Sequence, residues 1–262
     1  MENMKVVILC GGKGTRLREE TEFKPKPMVE VGGYPIVWHI MHCYARYGFR
    51  DFILALGYKA EVAKEYFYHY RMRNSDFTID LGNGDLTTHG HSSGFNCEDW
   101  RVTLCDTGED TLKGARIKRV AKHIDTDRFM VTYGDGVANI DIERLVQFHK
   151  SSGKIGTFTG VRMPSRFGTV KTDAAGNIIS WQEKPILDEY INCGFFVFKR
   201  AFLEYLSEDE TCDLEKEPME KLAAQGELSM YPHDGFWQCM DTLRDHQLLS
   251  RLWDSGERPW TK

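Results

Sequence analysis

The sequence predicts a three-layer α/β sandwich, with helices on both faces of a mostly parallel, doubly wound central sheet. Short uninterrupted apolar runs, KVVILC at 5–10 and DFILALGY at 51–58, read as strands buried on both faces. Segments with apolar residues at helical spacing alternate with them, the pattern of parallel β-α units. The glycine-rich turn LCGGKGTRLR (9–18) directly follows the first of these strands, at the edge where such sheets take ligands.

The elements follow in order. After the first strand and its turn, IVWHIMHCYARYG has helical periodicity up to Gly48, a C-cap residue. DFILALGY is the next strand and AEVAKEYFYHY the next helix. FTIDLGNGDLTTHGHSSG reads as a strand, a tight Gly-Asn-Gly turn, a second strand and a polar loop. RVTLCDTG is a strand, LKGARIKRVAKHI a helix, and RFMVTYGDG a strand that stops in a Gly-Asp-Gly turn. IDIERLVQFHKSSG is a helix capped at Gly153. IGTFTGV, TVKT, GNIISWQEK and YINCGFFVF are strand-like, and LEKEPMEKLAAQG and TLRDHQLLSRLW are helical, with LSMYP and GFWQCMD between them. No internal repeat or low-complexity linker divides the chain, so one domain over 1–262 is expected. Its less regular second half is expected to cover the C-terminal edge of the sheet.

The 262 residues are 41% hydrophobic and 28% charged, enough for a sizeable core and a solvated surface. A formal charge of -5 argues against non-specific nucleic-acid or membrane binding, so a polyanionic ligand must meet local positive charge. The seven cysteines form no CxxC pair and no zinc-ligand spacing, which suits free thiols in a reducing compartment. MENMKVVILCGG is too short an apolar stretch for a signal peptide, and no run approaches the roughly 20 residues of a membrane span. A cytoplasmic location is the expectation.

The turn after the first strand carries the strongest chemical signal. Its glycines let the backbone approach a phosphate, and Lys13, Arg16 and Arg18 place three cations where structure alone demands none. It is neither a P-loop, because Gly14 follows Lys13, nor a dinucleotide fingerprint, because Leu17 holds the third glycine position. In FKPKPMVEVGG two prolines stiffen an extended segment bearing Lys24 and Lys26, an alternative being an exposed basic linker. Asp135 in VTYGDG ends a strand at the ligand-binding edge, and Mg²⁺ is typically held by one or two carboxylates plus phosphate oxygens and waters. Asp241 in WQCMDT is the second carboxylate by pattern, although it could equally be an N-cap for TLRDHQLLSRLW. Glu183 and Lys184 of WQEKP and Asn192 of INCGFF could meet sugar hydroxyls and a second phosphate. His89 and His91 lack the neighbours of a metal site. The polar stretch 82–99 and the C-terminal Arg-Pro-Trp are candidate contact surfaces.

Taken together and in this order, LCGGKGTRL, KPKPMVEVGG, YGDG, EKP and NCGFF resemble the sugar-1-phosphate nucleotidyltransferases across nearly the whole chain. NSDFTIDLGNG, VTLCDTG, EPMEKLAAQG and HDGFWQCMDTLRD are similar to the branch of that family that uses CTP. The resemblance implies a Rossmann-like sandwich, the nucleotide-diphospho-sugar transferase fold, with a nucleotide-binding half over about 1–135 and a sugar-phosphate-binding half over about 136–262. It implies Mg²⁺-dependent cytidylyl transfer from CTP to α-D-glucose 1-phosphate, for deoxysugar and cell-surface polysaccharide synthesis, by a homo-oligomer.

The implied roles fall on residues matching the family motifs. Leu9, Cys10, Gly11, Gly12, Lys13, Gly14, Thr15 and Arg16 would hold the nucleotide, with Thr111, Arg116 and Gly134. Arg16, Lys26 and Asp135 would be catalytic, Asp135 and Asp241 would bind the metal, and Glu183, Lys184 and Asn192 would face the sugar phosphate. Cys10 stands for the usual alanine of LAGG, Cys193 for the first glycine of NGG, and Lys113 and Ala115 fall where the branch commonly has TGGR. The alternatives are a family member using another nucleotide or sugar phosphate, and a non-catalytic nucleotide sensor, against which the retention of Arg16, Lys26 and both aspartates speaks. A dinucleotide-dependent oxidoreductase would need the glycine that Leu17 replaces.

Overall fold

The computed structural model describes residues 4–89, 99–165 and 167–262. Seven strands form the central sheet: β1 (Lys5–Cys10), β2 (Asp51–Leu56), β3 (Arg101–Asp106), β4 (Arg128–Tyr133), β5 (Gly156–Pro164), β6 (Ile186–Lys199) and β7 (Leu228–His233). They lie in the order β7-β5-β6-β4-β1-β2-β3. All run parallel except β6, which is antiparallel to both of its neighbours. The mostly parallel sheet read from the sequence is therefore the one observed.

Period-two alternation along β1 feeds two cores. Val6, Ile8 and Cys10 face the layer made by α1 (Ile36–Ala45), α2 (Ala60–Tyr68), α4 (Ile142–Ser152) and α6 (Leu243–Asp254). Val7 and Leu9 face α3 (Lys113–Arg119) and α5 (Glu217–Ala224), where Phe129, Phe196, Phe198 and Phe202 fill the space. Being buried on both faces is why β1 reads as one continuous apolar run. α4 ends at Gly153, with φ of 68°, as its sequence foretold.

Two expectations are corrected. The second half of the chain does not merely cover an edge: it supplies β5, β6 and β7 and so widens the sheet. The hairpin Thr169–Thr172 with Ile178–Gln182 pairs only with itself, outside the central sheet. The tryptophan of the C-terminal Arg-Pro-Trp is not an exposed contact residue either. Trp260 is buried, its indole lying against His39, Trp253 and Phe236, and its Nε1–H donates to His39 Nδ1 at 3.2 Å. Trp260 lies in the short turn Pro259–Thr261, which places its large apolar ring system in the core with its N–H paired. Of the polar 82–99 stretch, residues 90–98, with His91 and Cys97, lie outside the described residues.

His39 has both ring nitrogens committed, Nδ1 accepting from Trp260 and Nε2–H donating to the Val31 carbonyl at 2.8 Å. Burial pushes its pKa down to about 4 from 6.5, so it stays neutral in the fold. Trp260→Ala is expected to cost about 3–5 kcal/mol in denaturant unfolding. Because the unfolded chain takes up the His39 proton first, stability should also fall between pH of about 6.5 and about 4. That loss reaches about 3 kcal/mol, and His39→Gln should flatten the dependence in thermal melts across that range.

Candidate active site

At the C-terminal ends of β1 and β4 lies a cavity of about 580 Å³. Its floor is the glycine-rich turn, with Leu9, Gly11, Gly12, Gly14, Thr15 and Arg16 among the lining residues. Gly14 has φ of +63° and starts the short turn Thr15–Leu17 that carries Arg16. Gly11 has a different reason: a Cβ there would lie 2.0 Å from the Arg116 guanidinium.

That guanidinium is buried and donates to the carbonyls of Gly11, Leu56, Gly108 and Glu109 at 2.7–3.1 Å. Arg116 thus ties three loops together beneath the cavity while still lining it. Thr111 is buried beside it and accepts from Arg119 at 2.8 Å. Cys10 points into the core behind the turn, and Lys13 lies outside the cavity lining, paired with Asp110 at 2.7 Å.

Four charged groups meet at the opposite wall. Pro25 is extended, with φ of -70° and ψ of 153°, and the chain then makes one turn over Lys26–Met28 rather than staying extended through Pro27. Pro27 sits in the first turn, where its missing N–H costs nothing. Lys26 is thereby buried at 8% exposure, and its Nζ donates to Asp135 Oδ2 at 2.9 Å and to Asp241 Oδ1 at 2.5 Å. Arg16 Nη1 reaches Asp241 Oδ2 at 2.9 Å.

The two aspartates are neighbours because a short antiparallel ladder joins Gly136–Ala138 to Trp237–Cys239, and the Met240 N–H donates to the Asp135 carbonyl at 2.8 Å. Gly134 is needed for the approach, since a Cβ there would lie 2.7 Å from the Leu9 carbonyl. The capping role open to Asp241 is taken by Thr242, whose hydroxyl forms a capping box with Asp245. The Asp245 carboxylate also accepts the Asp241 N–H, which leaves the Asp241 side chain for Lys26 and Arg16. Burial raises the Asp241 pKa, but Lys26 and Arg16 outweigh it and hold the carboxyl below its ordinary value. Burial lowers that of Lys26, and the two carboxylates outweigh it in turn.

On the sugar-phosphate side, Asn192 lines the cavity, fixed by a bulge in β6. Its Oδ1 accepts from the Gly194 N–H at 2.9 Å and its Nδ2 donates to Tyr133 Oη at 3.0 Å. Gly194, with φ of +86°, has the Tyr133 ring 2.5 Å from where a Cβ would be. Cys193 faces the core, away from the cavity. Glu183 and Lys184 do not line it: both side chains are about two-thirds exposed at the end of the hairpin, 67% and 63%.

Lys113, Tyr133, Glu215, Trp237 and Cys239 also line the cavity and were not picked out as site residues from the sequence. Only the lysine in TLKGAR carried a signal, as a departure from the family pattern. A larger groove of about 660 Å³ between α2 and β3 is walled mostly by aromatic and aliphatic side chains and lacks convergent charges.

Asp135 and Asp241 are suited to a hard cation. Their carboxylates converge on one ammonium, which shows that a positive charge fits between them, and an oxygen-only pair is the donor set Mg²⁺ takes when phosphates and waters complete its shell. Among the described residues no group of three or more His, Cys, Asp or Glu converges, as a dedicated all-protein metal cage would require.

The profile of the family described as nucleotidyl transferase matches residues 5–245. Glucose-1-phosphate cytidylyltransferase of Salmonella typhi is 49% identical over 259 residues, covering 98% of each chain, and that of Salmonella typhimurium is equally similar over the same span. In structure, HddC from Yersinia pseudotuberculosis superposes with a TM-score of 0.68 at 22% identity, covering 95% of this chain and 99% of its own, a likeness of fold. On the match over nearly the whole chain, this protein belongs to the nucleotidyl transferase family.

Proposed function

We propose that the chain is a glucose-1-phosphate cytidylyltransferase, which transfers the cytidylyl group of CTP to α-D-glucose 1-phosphate and releases CDP-glucose and pyrophosphate. The observation that carries this is its 49% identity with the Salmonella typhi enzyme of that name over 98% of both chains. The gathering of Arg16, Lys26, Asp135 and Asp241 at one cavity supports it.

The sugar-phosphate oxygen that attacks the α-phosphorus is already anionic at neutral pH. One P–O bond forms, the bond to the β-phosphate breaks, and no proton need move, so no general base is required. What the protein must supply is alignment and positive charge against the repulsion of two polyanions. The glycine turn would receive the nucleotide with its backbone, Arg116 holding that turn in shape from beneath. Arg16 and Lys26 would leave their carboxylates for the triphosphate and stabilise charge growing on pyrophosphate. Asp135 and Asp241 would then hold a divalent cation, Mg²⁺ in this proposal, which neutralises phosphate charge when bound. Asn192 would donate to the sugar phosphate. Glu183 and Lys184 belong to the same reading, which requires the hairpin Thr169–Gln182 to swing over the cavity.

The nucleotide-binding half is proposed as about 1–135 and the sugar-phosphate-binding half as about 136–262. No helix among the described residues is long and apolar enough to cross a membrane, and a cytoplasmic homo-oligomer is proposed. Ile178, Ile179, Trp181 and Ile186 are each exposed large apolar side chains, the kind of surface that assembly would cover. Pyrophosphate release measured across four nucleoside triphosphates and several sugar 1-phosphates tests the reaction, the expected result being preference for CTP with glucose 1-phosphate. Asp135→Ala should abolish divalent-dependent turnover with the thermal midpoint little changed, and near-normal activity would remove Asp135 from the metal site. Arg16→Ala should lower kcat by about a hundredfold, the loss typical of one preorganised donor; unchanged kinetics would take Arg16 out of the mechanism.

A further inference from the structure

A chain of hydrogen bonds crosses the cavity wall from the helix carrying Arg116 to Asn192. Lys113, the first residue of α3, pairs with Glu215 Oε2 and lies 3.4 Å from Asp213. Glu215 Oε1 accepts from the Tyr133 hydroxyl, and that hydroxyl accepts from Asn192 Nδ2 at 3.0 Å. Each member has a fixed polarity. The Gly194 N–H donates to Asn192 Oδ1 at 2.9 Å, so the amide nitrogen must be the end that faces Tyr133. Tyr133 therefore uses its oxygen to accept and its proton to donate, and an acceptor at the Glu215 position completes that arrangement. Burial first, and the Glu215 carboxylate second, raise the Tyr133 pKa, which keeps the phenol a donor.

Asn192 has two amide N–H groups, and one is committed to Tyr133. The direction of the other is then set, because the amide is planar and anchored at both ends. An amide free to rotate would offer its oxygen to an anion as readily as its nitrogen, and the oxygen would repel it. The array ensures that the nitrogen is the end available to an incoming phosphate.

We propose that Tyr133, Glu215 and Lys113 are positioning residues that hold the Asn192 amide with its second N–H ready for an oxygen of the sugar 1-phosphate. This rests on the reading that Asn192 meets that substrate. The four side chains come from β4, β6, α3 and the segment before α5, so the array also couples the proposed nucleotide half to the proposed sugar-phosphate half. Lys113, where the branch commonly has an uncharged residue, would be the cation that holds the Glu215 carboxylate in place.

Steady-state kinetics on the full-length enzyme test this, with CTP and glucose 1-phosphate varied separately. Asn192→Ala and Tyr133→Phe should each raise the KM for glucose 1-phosphate about fivefold, the effect of one hydrogen bond, with the KM for CTP unchanged. The double variant should be no worse than Asn192→Ala alone, because the phenol acts only through the amide. Glu215→Ala should reproduce Tyr133→Phe, and Glu215→Gln, which retains an acceptor, should restore most of the loss. If Asn192→Ala leaves the sugar-phosphate KM unchanged, the Asn192 reading itself fails. If it raises that KM while Tyr133→Phe does not, or if the two effects multiply in the double variant, the positioning array is overturned and the Asn192 reading stands.

Discussion

Two carboxylates held side by side with a buried ammonium between them are the constraint on which this site depends. Asp135 and Asp241 would repel each other, and two like charges about 4 Å apart cost about 4 kcal/mol in a protein-like dielectric. Lys26 offsets that cost from a position at 8% exposure, and Arg16 adds a second cation at the rim. Much of the surrounding structure serves this contact. The ladder between Gly136–Ala138 and Trp237–Cys239 brings the aspartates together, Gly134 allows the strand end to touch β1, and the turn after Pro25 delivers the lysine.

On the proposed function, the same contact would let a protein of net charge -5 receive two polyanions. Its carboxylates do not face the cavity as bare charges; they are neutralised by side chains that have themselves an affinity for phosphate. In the proposed reaction a triphosphate arriving with its own cation would exchange partners with this cluster: phosphate would take the ammonium and guanidinium, and the carboxylates would hold the metal. As it stands the cluster is balanced, two cations against two carboxylates, which is the condition for largely buried charges to be tolerated.

The fold was largely legible because its strands are buried on both faces and its helices carry regular apolar spacing. What escaped were contacts that depend on where distant segments meet. Trp260 reads as an exposed aromatic tail because nothing local shows that His39 waits for its indole. The pattern WQCMDT leaves Asp241 between capping and metal binding, and only the Thr242–Asp245 box shows that the capping role is taken. Arg116 matches a nucleotide-binding position, yet its donors are turned onto backbone carbonyls, a role no spacing reveals. Glu215 sits in ordinary sequence and Tyr133 merely opens the YGDG motif; their contact with each other and with Asn192 is visible only in the structure. The hairpin was legible as two strands, but its placement outside the central sheet was not, so Glu183 and Lys184 stand farther from the cavity lining than their motif suggests.

Cys193 shows how far a motif can depart without altering the surface it builds. The family pattern has two glycines after Asn192, and they answer different demands. The second, Gly194, has φ of +86° and lies so close to the Tyr133 ring that any side chain would collide with it. The first position has neither constraint here: the Cys193 side chain runs into the core, and the residue's visible duty is its carbonyl, which accepts from Trp237 Nε1 at 2.9 Å. A thiol there adds apolar packing behind the wall without entering the cavity, and the backbone bond to Trp237 is indifferent to the side chain. Of the two glycines, the one this site needs for geometry is therefore the one it keeps, and the replacement of the other leaves the lining around Asn192 intact.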